Sequence, residues 1–239
     1  MNDLEMQRLD RKEFREEELR VIGELFKDNL LYTAALKEMQ TKVEILRDDF
    51  RQNNAYNPIE HIKVRIKTPT SILKKSYIRE IPLTVEDLKE ELNDIVGIRV
   101  VCTFKSDIYD IAEILSKSED ITLLKVKDYI ANPKPSGYQS YHMIVEIPVY
   151  MANGKKMCKV EIQLRTMAMD FWASLEHKIK YKYDWKVPED IRAELLDCSK
   201  VVDTLDDKML KLHKRVHNPT DVQIETHLLI ISFMEWLKC

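Results

Sequence analysis

Glycine is scarce in this chain, with four residues among 239. That is too few for a glycine-rich phosphate cradle, and neither GxGxxG nor GxxxxGKS/T occurs. Zinc-type spacing is missing too. Cys102, Cys158, Cys198 and Cys239 are scattered, two of them in strand-like segments, as expected of buried thiols in a reducing compartment. The longest apolar run, Leu228-Leu229-Ile230-Ile231-Ser232-Phe233-Met234, falls far short of the roughly 20 residues that span a bilayer. An excess of positive charge is lacking as well. A net charge of −3 argues against nonspecific duplex binding, which is driven by phosphate neutralisation, but leaves room for a local basic pocket. The opening Met-Asn-Asp-Leu-Glu-Met-Gln-Arg is charged from the start and has no secretory apolar region. A cytoplasmic location without membrane contact is the expectation.

What is present is charged and helix-rich. Asp, Glu, Lys and Arg make up 33% of residues and apolar types 44%, at a length suited to one generous domain or two small ones. Residues 4–54 lack proline, and Leu19, Ile22, Leu25, Phe26, Leu30, Leu36, Met39, Val43 and Leu46 recur at helical spacing. That predicts one or two amphipathic helices forming a packing or oligomer surface. The run from Asn53 to Pro58 ends them. Next, Ile62, Val64 and Ile66 alternate with Lys63, Arg65 and Lys67, predicting a strand with a basic face. Thr68-Pro69-Thr70-Ser71 reads as a helix start. Ile95–Phe104 reads as a strand buried on both faces, Asp107–Lys117 as a helix and Ile121–Ile130 as a strand.

Strands at Tyr141–Tyr150 and Lys156–Arg165 are joined by the hairpin signal Ala152-Asn153-Gly154. A helix over Met167–Tyr183 places Ala168, Trp172, Leu175 and Ile179 on one side. Trp185-Lys186-Val187-Pro188 breaks it, and a further helix spans Glu189–Val216. Interleaved strands and helices with a terminal hairpin predict an α/β (α+β) fold: a mixed sheet with helices packed on it. The apolar tail from 218 to 239 receives no assignment.

Chemistry concentrates in two stretches. Ser136-Gly137-Tyr138-Gln139-Ser140-Tyr141-His142 follows Pro-Lys-Pro and presents an aromatic ring, hydroxyls and an imidazole. Val160-Glu161-Ile162-Gln163-Leu164-Arg165-Thr166 alternates, so Glu161, Gln163 and Arg165 share one strand face. Asp94 and Glu161, carboxylates on separate strands, are the donor type that a magnesium–nucleotide site requires. Arg99, in the middle of an apolar strand, must be paired or must point into a polar cavity, because an unpaired buried charge costs several kcal/mol. Arg65, Lys67, Lys74 and Lys75 cluster around a helix start at Ser71, which suits a polyphosphate. Tyr138 offers a platform for a base, with Lys134 and His142 flanking it. His177 suits helix packing and substrate contact equally.

Together these segments resemble the synthetase domain of the RelA/SpoT family, and closely the stand-alone small alarmone synthetases. The matching residues are Arg65-Ile66-Lys67 with Ser71, Asp94 to Arg99, Lys134 to His142, Val160 to Thr166, and Met169-Asp170-Phe171-Trp172-Ala173 through Glu176-His177. The resemblance spans about residues 57–185. It implies a nucleotidyltransferase-like mixed sheet of about five strands and transfer of pyrophosphate from ATP to the 3′-hydroxyl of GDP or GTP. With the helical spacing on either side of it, the domain plan is an N-terminal helical segment (1–56), the synthetase domain (57–185), a C-terminal helix (186–217) and the tail (218–239). Carried over by position, Arg65 and Arg99 sandwich adenine, while Lys67, Ser71, Lys74 and Lys75 hold the ATP phosphates. Asp94 and Glu161 hold Mg2+, Glu161 also serving as base. Tyr138 stacks on guanine, and Lys134, His142 and Gln163 contact acceptor phosphates or ribose.

The resemblance also sets limits. None of the six histidines precedes an aspartate, so the hydrolase motif of long bifunctional relatives is absent and hydrolysis is not expected. His61 and Lys63 stand where product-activated relatives carry an aromatic and a hydroxyl, and Asp170 stands where asparagine is typical. A homo-oligomer is expected, with a homotetramer favoured, and RNA is not expected as a main partner. The alternative is a catalytically inactive nucleotide- or RNA-binding regulator of the same fold.

Overall fold

A computed structural model describes residues 3–53, 56–183 and 187–217. Five strands form one sheet: β1 (Ile59–Ile66), β2 (Val96–Cys102), β3 (Thr122–Asp128), β4 (Tyr141–Met151) and β5 (Gly154–Thr166), in the order β1-β2-β5-β4-β3. β2 is apolar except at Gly97 and Arg99, a composition that belongs inside a sheet. There it pairs antiparallel with β1 and parallel with β5. β4 and β5 form the expected hairpin, closed where Gly154 adopts φ 112°.

Eight α-helices surround the sheet among the described residues: α1 (Asp3–Asp10), α2 (Glu16–Leu25), α3 (Asn29–Asn53), α4 (Pro69–Arg79), α5 (Val85–Glu91), α6 (Lys105–Ser116), α7 (Met167–Lys182) and α8 (Glu189–His217). Ala35, Met39 and Val43 of α3 join Val96, Ile98, Val100, Val160, Ile162 and Leu164 in a single core, with Ile108 and Ile111 of α6. This leaves the other face of β5, with Glu161, Gln163 and Arg165, for polar chemistry. α4 begins as its residues dictate: the Thr68 hydroxyl accepts from the Ser71 amide, and Pro69 occupies the first turn.

Several expectations need correction. The N-terminal segment is three helices rather than one or two, with a single 3₁₀ turn at Phe26–Asp28. Lys12, at φ 58°, interrupts it, and the Arg15 amide donates to the Glu18 carboxylate to start α2. Leu19 and Leu30 face solvent, so the buried stripe is Val21, Ile22, Leu25, Leu31, Tyr32, Ala35, Met39 and Val43. On α7 the buried face is Met169, Asp170, Trp172, Ala173 and Glu176, and Leu175 is exposed. Helix α5 was not anticipated. Cys102 and Cys158 are buried, but Cys198 is exposed. Residues 184–186, including Trp185 and Lys186 of the expected helix break, and the tail 218–239 with Cys239 lie outside the described residues. Among the described residues no helix is long and apolar enough to cross a membrane.

Glu18 ties α1, α2 and α4 together. Its carboxylate accepts from Arg8 at 2.8 Å, the Tyr77 hydroxyl at 2.6 Å and the Arg15 amide at 2.7 Å. Burial pushes its pKa up, but these donors outweigh burial and hold it at about 2. The folded value lies below the unfolded one, so this stabilisation is present above about pH 4 and fades as pH falls toward 2. Glu18→Ala is expected to cost about 2–3 kcal/mol in urea unfolding at pH 7, because Arg8 keeps only the Glu5 carboxylate and the Tyr77 hydroxyl and Arg15 amide lose their acceptor. The deficit relative to the parent should shrink as pH approaches 2; an unchanged urea midpoint at pH 7 would refute this role.

Candidate active site

The strand register assembles the site. Across all five strands, Lys63, Arg99, Gln163, His142 and Lys127 are consecutive cross-strand partners. The next row along that face holds Arg65, Gly97 and Glu161. Gly97 contributes no side chain, leaving a slot of about 110 Å³ lined by Lys63, Arg65, Arg99 and Gln163 among others. A Cβ there would lie 3.6 Å from Arg65 Cγ and Nε, in ordinary contact, so the slot reflects missing bulk rather than a clash. Beside the slot a cleft of about 630 Å³ runs over the sheet face.

Asp94 lies two residues before the start of β2, and its Oδ2 accepts from Lys67 Nζ at 2.8 Å and Lys75 Nζ at 2.7 Å. Burial works against the ionised form, but Lys67 and Lys75 outweigh it and hold the Asp94 pKa at about 2. Its Oδ1 is buried without a hydrogen-bond partner. Glu161 accepts from His142 Nδ1 at 3.3 Å and from Gln163 Nε2 at 2.7 Å. Burial raises its pKa while His142 lowers it, for a net downward shift, and the negative charge of Asp94 is felt there too. Burial pushes His142 down, so the imidazole is neutral at pH 7. Its partners set the tautomer: Nδ1–H faces Glu161, and Nε2 accepts from the Tyr138 hydroxyl at 2.9 Å. Arg165 Nη2 donates to that same hydroxyl. A continuous chain therefore runs Arg165–Tyr138–His142–Glu161. Lys134 Nζ lies 4.6 Å from the Tyr138 ring centroid.

Arg99 is paired, as a guanidinium in an apolar strand must be. Asp170 of α7 accepts from Arg99 at 3.0 Å and Arg165 at 3.3 Å through Oδ1, and from Lys63 at 3.0 Å through Oδ2. An asparagine there would carry no charge to offset three cations.

Of the residues expected at the site, Arg65, Lys75, Asp94, Arg99, Lys134, Tyr138, His142, Glu161 and Gln163 line the one cleft. Lys67 reaches it through Asp94. Ser71 and Lys74 do not line it. Ser71 is spent on the α4 cap with Thr68, and Lys74 pairs with Asp10 of α1. One residue is 100° of helix, which separates Lys74 from Lys75. Arg79, four residues after Lys75, lines the cleft instead, with Lys127 and Tyr129 from the end of β3 and Glu176, His177 and Lys180 from α7. The i, i+4 spacings of Lys75/Arg79 and Glu176/Lys180, and the alternation of Lys125 and Lys127, were the available signals. Nine Lys or Arg against three carboxylates make this a receptor for polyanions.

Among the described residues no group of three or more His, Cys, Asp or Glu could cage a metal. Two hard carboxylates, one with an unpartnered oxygen, nevertheless fit a magnesium ion that takes its remaining ligands from phosphates and water.

Comparison with known proteins follows the same line. Residues 64–186 match the region found in RelA/SpoT proteins. GTP pyrophosphokinase YwaC of Bacillus subtilis (strain 168) is 43% identical over 201 residues, 84% of this chain and 96% of that protein. GTP pyrophosphokinase YjbM of the same organism is 37% identical over 185 residues, 77% of this chain and 86% of that one. The fold is similar to that of small alarmone synthetase 1 from Bacillus subtilis bound to its product pppGpp. There the TM-score is 0.74 at 36% identity, covering 78% of this chain and 95% of that one.

The ion pairs make a direct prediction. Lys75→Met leaves Asp94 buried with a single cation, so its pKa should climb above the parent value of about 2 by roughly a unit. Side-chain carboxyl NMR titration reads this, and an unmoved Asp94 would refute the Lys75 pairing.

Proposed function

The chain belongs to the RelA/SpoT family, and we propose that it is a GTP pyrophosphokinase, moving pyrophosphate from ATP to the 3′-hydroxyl of GDP or GTP. The products are ppGpp or pppGpp and AMP. The observation that carries this reading is the convergence of Asp94, Glu161 and Tyr138 on one strongly cationic cleft. The slot over Gly97, between Arg65 and Arg99, is a place for adenine to lie against guanidinium planes. Lys75 and Arg79, on one face of α4, would meet the donor phosphates. Tyr138 would stack on guanine, a contact of roughly 1–3 kcal/mol, with its ring angle set in advance by Arg165, His142 and Lys134.

The transfer forms a bond from the 3′-oxygen to the β-phosphorus and breaks the bond from that phosphorus to the α,β-bridging oxygen, whose electron pair leaves with AMP. Magnesium, held by Asp94, Glu161 and the phosphates, would neutralise charge on the phosphoryl oxygens. Glu161 accepts the hydroxyl proton. Its lowered pKa makes it a weak base, suited to a loose transition state in which the proton departs late and orientation matters most. Neutral His142 holds the carboxylate in place through Nδ1–H.

Incubation with labelled ATP, GDP and magnesium should yield AMP and a guanosine tetraphosphate. Glu161→Gln and Asp94→Asn should each lower kcat by roughly 10²–10⁴-fold with an unchanged circular dichroism spectrum, and chelation should halt turnover. Binding without AMP formation would instead identify an inactive nucleotide-binding regulator.

The same reading makes the protein a cytoplasmic homotetramer. Supporting an assembly, α8 exposes Val201, Leu205, Met209, Leu212 and Val216 at spacings of three and four residues. Light scattering should return four times the 28.3 kDa chain mass. A monomer at micromolar concentration would refute the assembly.

A further inference from the structure

Tyr138 sits between two residues that are both anchored on α8, a helix that lies outside the matched region 64–186. Before it, Gly137 has φ +85°, and its amide donates to the Lys134 carbonyl at 2.8 Å. A Cβ on Gly137 would come within 2.1 Å of Ser199 Oγ and 2.7 Å of Ser199 Cβ, so the loop backbone rests directly on α8. After it, the buried Gln139 donates through Nε2 to Asp203 Oδ1 at 3.0 Å. Asp203 is held in turn by Lys105 at 2.7 Å. One residue beyond Arg165, the guanidinium that bonds the Tyr138 hydroxyl, Thr166 donates to Asp206 Oδ2 at 2.6 Å. Ser199, Asp203 and Asp206 stand at i, i+4 and i+7, a single helix face. That face fixes the ring from its two chain neighbours and from the strand that carries its hydroxyl partner.

We propose that α8 is the positioning element of the acceptor platform, with Ser199 and Asp203 as positioning residues that set Tyr138 without touching substrate. The claim rests on the reading of Tyr138 as the guanine platform. It predicts effects confined to the guanosine substrate, because the adenine slot and the Lys75 side of the cleft are lined by residues of β1, β2, α4 and Gln163 of β5, whose polar partners lie off α8.

Ser199→Val adds bulk where the loop backbone lies. It should raise KM for GDP about tenfold, the equivalent of about 1.4 kcal/mol of overpacking, and leave KM for ATP within about twofold. Ser199→Ala, which keeps Cβ and adds nothing, should match the parent. Asp203→Ala should raise KM for GDP about two- to tenfold through loss of the Gln139 bond. Asp203→Asn retains an acceptor and should restore it. Equal rises in both KM values, or none, would overturn the proposal.

A second readout does not depend on turnover. Exchange of the Gly137 amide hydrogen should quicken in Ser199→Val and Asp203→Ala while that of Val100 stays at the parent rate. Unchanged Gly137 exchange overturns the proposal even if the parent protein makes AMP. Absence of AMP from the parent instead overturns the functional reading and leaves the exchange test standing. Should Ser199→Val fail to fold, Asp203→Ala, at a partly exposed position, carries both measurements.

Discussion

Crowding of like charge is the constraint on which this structure turns. Nine cationic side chains line one cleft, and mutual repulsion would spread them unless fixed anions held them. Three carboxylates hold four of the nine, together with the neighbouring Lys63 and Lys67. Asp94 holds Lys67 and Lys75; Asp170 holds Lys63, Arg99 and Arg165; Glu176 pairs with Lys180. Each acid is largely withdrawn from water, where its attraction is less screened than at an open surface. The pairing is incomplete by design of position: Arg65, Arg79, Lys127, Lys134 and Lys178 have no carboxylate within ion-pair reach among the described residues. The surplus awaits a polyanion.

The sheet converts that charge into geometry. Because side chains alternate, β2 and β5 can send Val96, Ile98, Val160 and Ile162 into the core under α3 while presenting Arg99, Glu161 and Gln163 to the cleft. Their parallel register aligns Gly97 with Glu161 and Arg99 with Gln163. A slip of one residue would bury the acids and expose the core, so the hydrophobic face that stabilises the fold also enforces the register of the site. The N-terminal helices belong to this economy of packing. Glu18 joins α1 and α2 to Tyr77 of α4, and α4 carries the Lys75 and Arg79 wall.

A second constraint concerns Tyr138, the proposed aromatic platform. A tyrosine on a loop has freedom that stacking would have to overcome on binding. Here its hydroxyl sits between Arg165 and His142, and its flanking residues rest on α8. Ordering is thus largely complete before a ligand arrives, and His142 links the platform to the Glu161 carboxylate.

Local pattern alone revealed the alternation that makes β1 and β5, the buried run of β2, the helix start at Thr68-Pro69-Thr70-Ser71 and the Ala152-Asn153-Gly154 hairpin, since each depends on neighbours within a few residues. It also isolated Arg99 and the shared face of Glu161, Gln163 and Arg165 as having little structural reason to be where they are, and named Asp94 and Tyr138 as candidates beside them. It did not separate Lys74 from Lys75, because both suit a basic helix and only the positions of Asp10 and Asp94 tell them apart. Nor did it reveal Asp170 as the partner of three cations, Arg79 and Lys127 as cleft walls, or the break at Lys12. Ion pairing and burial join residues tens of positions apart, and which side chains meet is decided when the sheet closes its register and the helices dock. Periodicity carries the chemistry of each segment, whereas the distances that make charges act together exist only in the folded chain.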